Sequence, residues 1–385
     1  MVVCCMKKIG IISELDFETL NYGNRLQSYA LNFYLSKNNT LNVDSLMLNF
    51  KDQKYTIKSS FVLLKKAIKK IMVTVGLLKM QTEKTENTLL SKRFENSKKF
   101  TDQISTKQIN SINDLKENDY DIMIVGSDIV WEQNNYFIDR LKFLDFDLNQ
   151  EFKKISYAAS FGSNWIPKQN HRYIKKCLYN FEAVSVRERA SLDLLKSIDV
   201  ENTAHVCDPT MLITADEWSK VIEPVKEITE KYVFVYMLGC EQSQYEAIKK
   251  FSEKNNFKIA TIPTANNIYS SVGIAFGDYN IMDTGPAQWL WLIKNAEYVI
   301  TDSFHGVVFS TIFSKRFIVV KRFAVTDMNI RMTDFLDTID EQDKFVDITE
   351  VDSLEGFVWD YEKIHKITDE FVKKSKKYLE RALNT

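Results

Sequence analysis

The sequence predicts a two-domain α/β protein built on parallel sheets. Three observations point there. A chain of 385 residues exceeds the usual span of one domain. Short apolar runs alternate with segments of helical spacing. That alternation occurs twice, with a break between. The 45% hydrophobic and 27% charged residues are those of a globular chain. With 11 Gly and 5 Pro there is little material for long linkers, so the domains are expected to sit tightly together.

In the first half, Lys8–Ser13 is a short apolar run of the kind that fills a buried parallel strand. Glu14–Gly23 follows as a loop, and Arg25–Leu35 carries apolar residues at helical spacing until Lys37-Asn38-Asn39 stops it. Further strands are expected at Val43–Leu48, Asp121–Val125, Ile155–Ala159, Ala183–Val186 and Ala204–Val206. Asp208-Pro209 breaks the pattern and is expected to form the hinge.

The second half restarts with a strand at Tyr232–Met237, a helix at Gln244–Lys254 and a strand at Lys258–Ile262. Pro286 sits where a first helical residue should be, ahead of Ala287–Lys294. Tyr298–Thr301 is a strand, Gly306–Phe313 an apolar helix, Phe317–Val320 a strand, and Tyr361–Ala382 a long amphipathic helix. Two such alternations imply two Rossmann-like domains, residues 1–215 and 216–345. A helical tail, 346–385, is expected to pack back on the first. Ligands of such sheets bind outside the carboxyl ends of the strands, so the active site belongs in the cleft between the domains.

Within 55–100, the stretch Phe61–Gly76 interrupts the pattern. Leu64, Ala67, Ile68 and Ile71 share one helical face, with Lys65, Lys66, Lys69 and Lys70 over the rest. Such a helix either packs on the protein with solvated lysines or touches a membrane surface or a lipid diphosphate. A net charge of -1 gives no footprint for nucleic acid. Cys4, Cys5, Cys177, Cys207 and Cys240 lack CxxC spacing and do not group with the four histidines, so reduced thiols of a cytoplasmic protein are expected, with no metal site. The apolar run at residues 1–9 is too short for a signal peptide or a membrane span.

The sharpest site feature is Thr301-Asp302-Ser303-Phe304-His305-Gly306, at a strand's end and a helix's start. Free N–H groups and the helix dipole favour an anion there. Gly306 permits close approach, Ser303 and Phe304 flank the site, and imidazole suits proton transfer near neutral pH. Arg187 ends a strand and either grips a carboxylate or phosphate with its planar fork or pairs with Glu188. Gly23 and Asn24 are read as a turn or cap, or as a helix-start site for an anionic or hydroxyl-rich ligand. Ser127 and Asp128 follow a strand. Asp128 is either an N-cap or an acceptor for a sugar hydroxyl, and Trp131 offers a face on which a sugar ring stacks. Ser160 closes the next strand and shapes the cleft floor. No G-x-G-x-x-G is present, so the dinucleotide fingerprint is missing.

These pieces, in order, resemble the polysaccharide pyruvyltransferases: NYGNRLQSYAL (21–31), YDIMIVGSDIVW (120–131), SYAASFG (156–162), VSVRE (184–188), DPTMLI (208–213) and the run 285–313 that holds SFHG. The resemblance implies a GT-B-like fold. It also implies an enzyme that moves pyruvate from phosphoenolpyruvate onto two hydroxyls of a sugar as a cyclic ketal, in cell-surface or capsular polysaccharide biosynthesis. It implies Arg187 and His305 acting on the donor, and no cofactor beyond the donor substrate; Asp128, from its place at a strand end, is expected to join them in orienting the substrate. An arginine that some relatives carry just before the histidine is replaced here by Phe304, which turns attention to Lys321, Arg322 and Arg331. The resemblance implies a sugar acceptor, lipid-linked in one version, and the reaction is expected in the cytoplasm or at the inner face of the membrane. Two rivals stand beside this reading: a glycosyltransferase of the same fold that uses a nucleotide sugar, and a non-catalytic glycan-binding protein.

Overall fold

A computed structural model describes residues 6–15, 20–55, 87–133, 137–239, 242–262, 276–322, 329–346 and 356–384. The basic stretch Phe61–Gly76 and Cys4, Cys5 and Cys240 lie outside them.

The first sheet is parallel, in the order β4-β2-β1-β5-β7. Its strands are β1 (Lys7–Ile12), β2 (Leu41–Leu48), β4 (Thr106–Ile109), β5 (Ile122–Val125) and β7 (Lys153–Ser156). A short antiparallel pair, β3 (Gln53–Tyr55) with β6 (Phe137–Asp139), stands apart from it. Isolated bridges from Ile155 to Ala183 and from Ala159 to Val186 carry the sheet on to β8 (Val184–Val186), which pairs with β9 (Thr203–His205). The second sheet, also parallel, runs β12-β11-β10-β13-β14-β15. Its strands are β10 (Tyr232–Tyr236), β11 (Lys258–Thr261), β12 (Tyr279–Asn280), β13 (Tyr298–Thr301), β14 (Arg316–Val320) and β15 (Phe345–Val346). The central strands β5 and β10 are buried at every residue, which is why they read as unbroken apolar runs instead of alternating ones.

Helices fill the crossovers: α1 (Tyr22–Ser36), α2 (Asn87–Thr101), α3 (Ile112–Lys116), α4 (Lys168–Tyr179), α5 (Arg189–Ser197) and α6 (Ala215–Ser219) in the first half. The second half holds α7 (Gln242–Lys254), α8 (Pro286–Asn295), α9 (Phe304–Ile312), α10 (Ile330–Ile339) and α11 (Tyr361–Asn384). Helix α1 begins three residues before the expected Arg25, because the Asn21 side chain accepts the Asn24 N–H at 3.4 Å and caps it. Gly23 and Asn24 therefore belong to the first helical turn and not to a loop. Pro286 opens α8, where its missing N–H costs nothing.

One hydrophobic cluster runs through both halves. Aromatic contacts link α1, α6, α8 and α9: Tyr29 to Trp218 at 5.5 Å, Trp218 to Phe309 at 5.0 Å, Phe309 to Trp289 at 5.5 Å and Trp289 to Tyr22 at 6.1 Å. Such pairs contribute about 0.5–1.5 kcal/mol each beyond the area they bury. Helix α11 lies against the first half, where Ser375 Oγ accepts the Cys207 N–H at 2.8 Å and Tyr378 OH donates to the Ser156 carbonyl at 2.8 Å. Both sheets reverse strand order beside their first strand, between β1 and β5 and between β10 and β13. The carboxyl ends at those two reversals meet at one cleft.

Candidate active site

The cleft encloses about 550 Å³. The first sheet contributes Glu14 after β1, Gly23 and Asn24 at the start of α1, and Asp128 after β5. The second contributes Leu238 after β10, Ser303, Phe304 and His305 after β13, Arg322 after β14 and Arg331 on α10.

His305 stands where the two halves touch. Its Nε2 lies 2.5 Å from the Gln27 amide and 3.6 Å from Asp208 Oδ2. The other edge of the ring rests on Gly23: a Cβ there would come within 2.2 Å of Nδ1 and 2.6 Å of Cε1. Glycine is required at that contact for space and not for backbone angle. Gly306, one residue on, is packed against Thr301, whose Oγ1 lies 2.6 Å from where a Cβ would be. That closeness seats α9 on the end of β13.

Arg187 differs from expectation. It does not line the cleft but lies beneath Phe304, its guanidinium 4.4 Å from the ring centre. Its fork meets Glu188 Oε1 at 2.7 Å and Asp208 Oδ2 at 3.0 Å, with Asp128 Oδ1 at 3.7 Å. Burial opposes its charge, but the three carboxylates more than reverse this and hold the guanidinium firmly protonated. Pairing with Glu188 is therefore real, and it is one of three. Asp208, assigned from sequence to a hinge, instead joins Arg187 to His305 through one oxygen. Its other oxygen accepts the Thr210 N–H and hydroxyl. Burial would raise the Asp208 carboxyl, yet His305 and Arg187 keep it below the usual carboxylate range.

Arg331 does face the cleft. It is 8% exposed, with Asp128 Oδ1 at 3.9 Å. Burial, with the Arg187 charge nearby, pulls its pKa down to about 10, so it is cationic at neutral pH. Arg322 is held by Asp302, through the carbonyl at 2.7 Å and the carboxylate at 3.3 Å. Asp302 also accepts the N–H groups of Leu238 and Gly239, which pins the loop after β10. Arg93 of α2, Lys51 and Lys142 also belong to the cationic lining.

Other expected site residues lie elsewhere. Trp131 is fully buried in the core, stacked on Phe143 at 5.6 Å with its N–H on the Lys142 carbonyl, so no sugar reaches its face. Ser127 Oγ donates to the Ala158 carbonyl, and Ser160 Oγ accepts the Gly162 N–H; both shape the strand ends from beneath. Gly306 lies behind the cleft wall, and Lys321 is exposed outside it. Asn24 lines the cleft and donates to the Glu14 carbonyl, leaving its own Oδ1 buried without a hydrogen-bond partner. Sequence reasoning missed Gln27, Arg93 and the role of Asp208. Gln27 lies four residues beyond Gly23 on the same face of α1, a spacing that would have pointed to it. Among the described residues, no group of three or more His, Cys, Asp or Glu side chains is placed to hold a metal. Within the same residues, no helix is long and apolar enough to cross a membrane.

No curated protein sequence matches the chain. Among solved structures it is similar to S. aureus MnaA in complex with UDP, at 12% identity and a TM-score of 0.52, covering 98% of this chain and 97% of that one. It is also similar to the UDP-GlcNAc 2-epimerase of Neisseria meningitidis at 10% identity, TM-score 0.47, with 97% and 100% covered. The glycotransferase of kitacinnamycin gives 10% identity, TM-score 0.46, with 98% and 99% covered. The MnaA likeness shows the fold alone, two Rossmann-like halves of GT-B type. The family described as polysaccharide pyruvyl transferase matches over residues 21–322, which takes in the strand-order reversal of the second sheet and every cleft residue named above except Glu14 and Arg331. The chain belongs to the polysaccharide pyruvyl transferase family and is a transferase.

Proposed function

We propose that the protein transfers the pyruvyl group of phosphoenolpyruvate onto two hydroxyls of a sugar, closing a cyclic ketal on a cell-surface or capsular polysaccharide or its precursor. The observation that carries this reading is the placing of His305 in one cleft with the guanidinium groups of Arg322 and Arg331. A donor with a carboxylate and a phosphate offers the anionic groups that such guanidinium forks bind. Arg331, Arg322 and the amino end of α9 meet that charge, while Arg187 holds Asp208 and the floor beneath Phe304.

In the reaction, one sugar hydroxyl adds to C2 of the enolpyruvyl group as its methylene carbon takes a proton. The second hydroxyl then displaces phosphate from C2. Of the two hydroxyl protons, one ends on the new methyl carbon and the other leaves with phosphate. His305 handles one of these transfers, and Asp128 and Asn24 orient the sugar. No cofactor other than the donor is assigned. The donor is a cytoplasmic metabolite, so the reaction belongs in the cytoplasm, at the inner membrane face when the acceptor is lipid-linked.

A phosphate-release assay with phosphoenolpyruvate and a sugar acceptor tests the reading. His305→Ala should lower kcat by about a hundred- to ten-thousand-fold, the range of one general acid–base group. A rate near that of the unmodified enzyme overturns it. The rival, a nucleotide-sugar glycosyltransferase, draws on MnaA, which was solved with UDP. It predicts no phosphate release and a response to nucleoside diphosphate.

A further inference from the structure

We propose that Gln27 is a positioning residue that sets which nitrogen of His305 meets the substrate. The effect on rate rests on the pyruvyl-transfer reading, and the proton position does not.

Nε2 of His305 is committed to the protein. Gln27, 2% exposed, approaches it at 2.5 Å, and Asp208 Oδ2 lies 3.6 Å away. Nδ1 lies on the opposite edge, over Gly23 at the start of α1, and no group among the described residues hydrogen-bonds it. A carboxylate beside Nε2 calls for a proton there, since two lone pairs would otherwise face each other. An amide nitrogen turned toward Nε2–H would set two donors against each other. Gln27 Oε1, moreover, is buried with no hydrogen-bond partner. A half-turn of the carboxamide, which exchanges atoms indistinguishable in shape, brings that oxygen onto Nε2–H.

Neutral His305 then carries its proton on Nε2 and presents the Nδ1 lone pair at the amino end of α1. It enters as a base. As the sugar oxygen bonds to C2, the hydroxyl O–H breaks and the proton moves to Nδ1, while the methylene carbon takes a proton from solvent that the second hydroxyl returns when it closes the ketal. That proton afterwards leaves with the departing phosphate. Asp208, whose oxygen is shared with Arg187 at 3.0 Å, supports the imidazolium from behind. The cleft's other charged residues are the acids Glu14, Asp128, Glu132 and Asp139 and the bases Lys51, Arg93, Lys142, Arg322 and Arg331.

The chain has four histidines, so ¹⁵N-histidine labelling gives a readable ring spectrum, and His305→Asn assigns the signal. The unmodified protein should show neutral His305 protonated at Nε2. Gln27→Leu should mix the two forms and lower kcat about ten- to a hundredfold, with KM for phosphoenolpyruvate nearly unchanged, as for lost partners behind a working imidazole. Gln27→Glu should keep the proton on Nε2, recover most of kcat and move the acid limb of the pH–kcat profile upward, because a second carboxylate favours the imidazolium. A neutral His305 protonated at Nδ1 overturns the proposal. So does a Gln27→Leu enzyme with unaltered kcat. If that variant does not fold, the spectrum of the unmodified protein decides. If the unmodified enzyme releases no phosphate, the pyruvyl-transfer reading falls while the spectrum still tests the proton position.

Discussion

At the residue scale, Gly23 and Arg187 make opposite demands. Gly23 is needed because the His305 ring occupies the space of its absent side chain. Gly23→Ala should displace the ring, and a displacement near 1 Å costs about a hundredfold in rate. Its effect on stability should be far smaller, because alanine favours a helix by up to about 1 kcal/mol over glycine. Phosphate release and thermal unfolding of the same sample separate the two effects. Arg187→Ala should act the other way round. It leaves Glu188, Asp208 and Asp128 buried without their shared cation, and breaking such a network costs about 3–5 kcal/mol. Urea unfolding measures this. An unchanged midpoint with a raised KM for phosphoenolpyruvate would instead place Arg187 on the donor. His305 was legible in the sequence, since a lone imidazole between an apolar strand and an apolar helix has few structural uses. Asp208 was not, because nothing local tells an aspartate before proline that its partners lie 21 and 97 residues away.

At the scale of elements, α10 links the cleft to the first half. It carries Arg331, and one turn later Asp334 accepts the Arg189 N–H at the start of α5 at 3.0 Å. His205 lies beside this joint, its Nε2 on the Arg187 carbonyl at 3.0 Å and 3.9 Å from Asp334. Burial lowers the His205 pKa from an ordinary 6.5 to about 4. The folded protein therefore resists a proton that the unfolded chain accepts. The stability His205 contributes is complete above pH 6.5 and is lost as the pH falls toward 4. Asp334 runs the other way. Burial raises its carboxyl to about 6, so its contribution is present below 3.8 and lost as the pH rises through 6. Melting temperatures between pH 7 and 4.5 should thus fall only gently. Asp334→Asn should steepen the fall, and His205→Gln should flatten or reverse it. A fall unchanged by both would remove the pair from the pH response. The helix α10 itself was not legible: its pattern, broken by Asp334 and Asp337, makes sense only with α5 and the cleft beside it.

At the scale of the molecule, the cleft depends on both sheets, so a ligand that fills it should hold the halves together. Phosphoenolpyruvate should raise the melting temperature of the whole chain, by about 2.7 kcal/mol of added stability at a hundred times its Kd. His305→Asn and Arg331→Gln should weaken that response. A rise with UDP and none with phosphoenolpyruvate would favour the glycosyltransferase reading. The sequence by itself determined the α/β class, the two runs of parallel strands and the family, because buried strands and strand-end motifs are written in contiguous residues. Only the tertiary structure decided which motif residues reach the cleft. It sent Trp131 into the core and Arg187 beneath Phe304, and it brought Gln27, Asp208 and Arg93 to the site. Those outcomes depend on charge balance and packing between segments far apart in the chain, which no local pattern records.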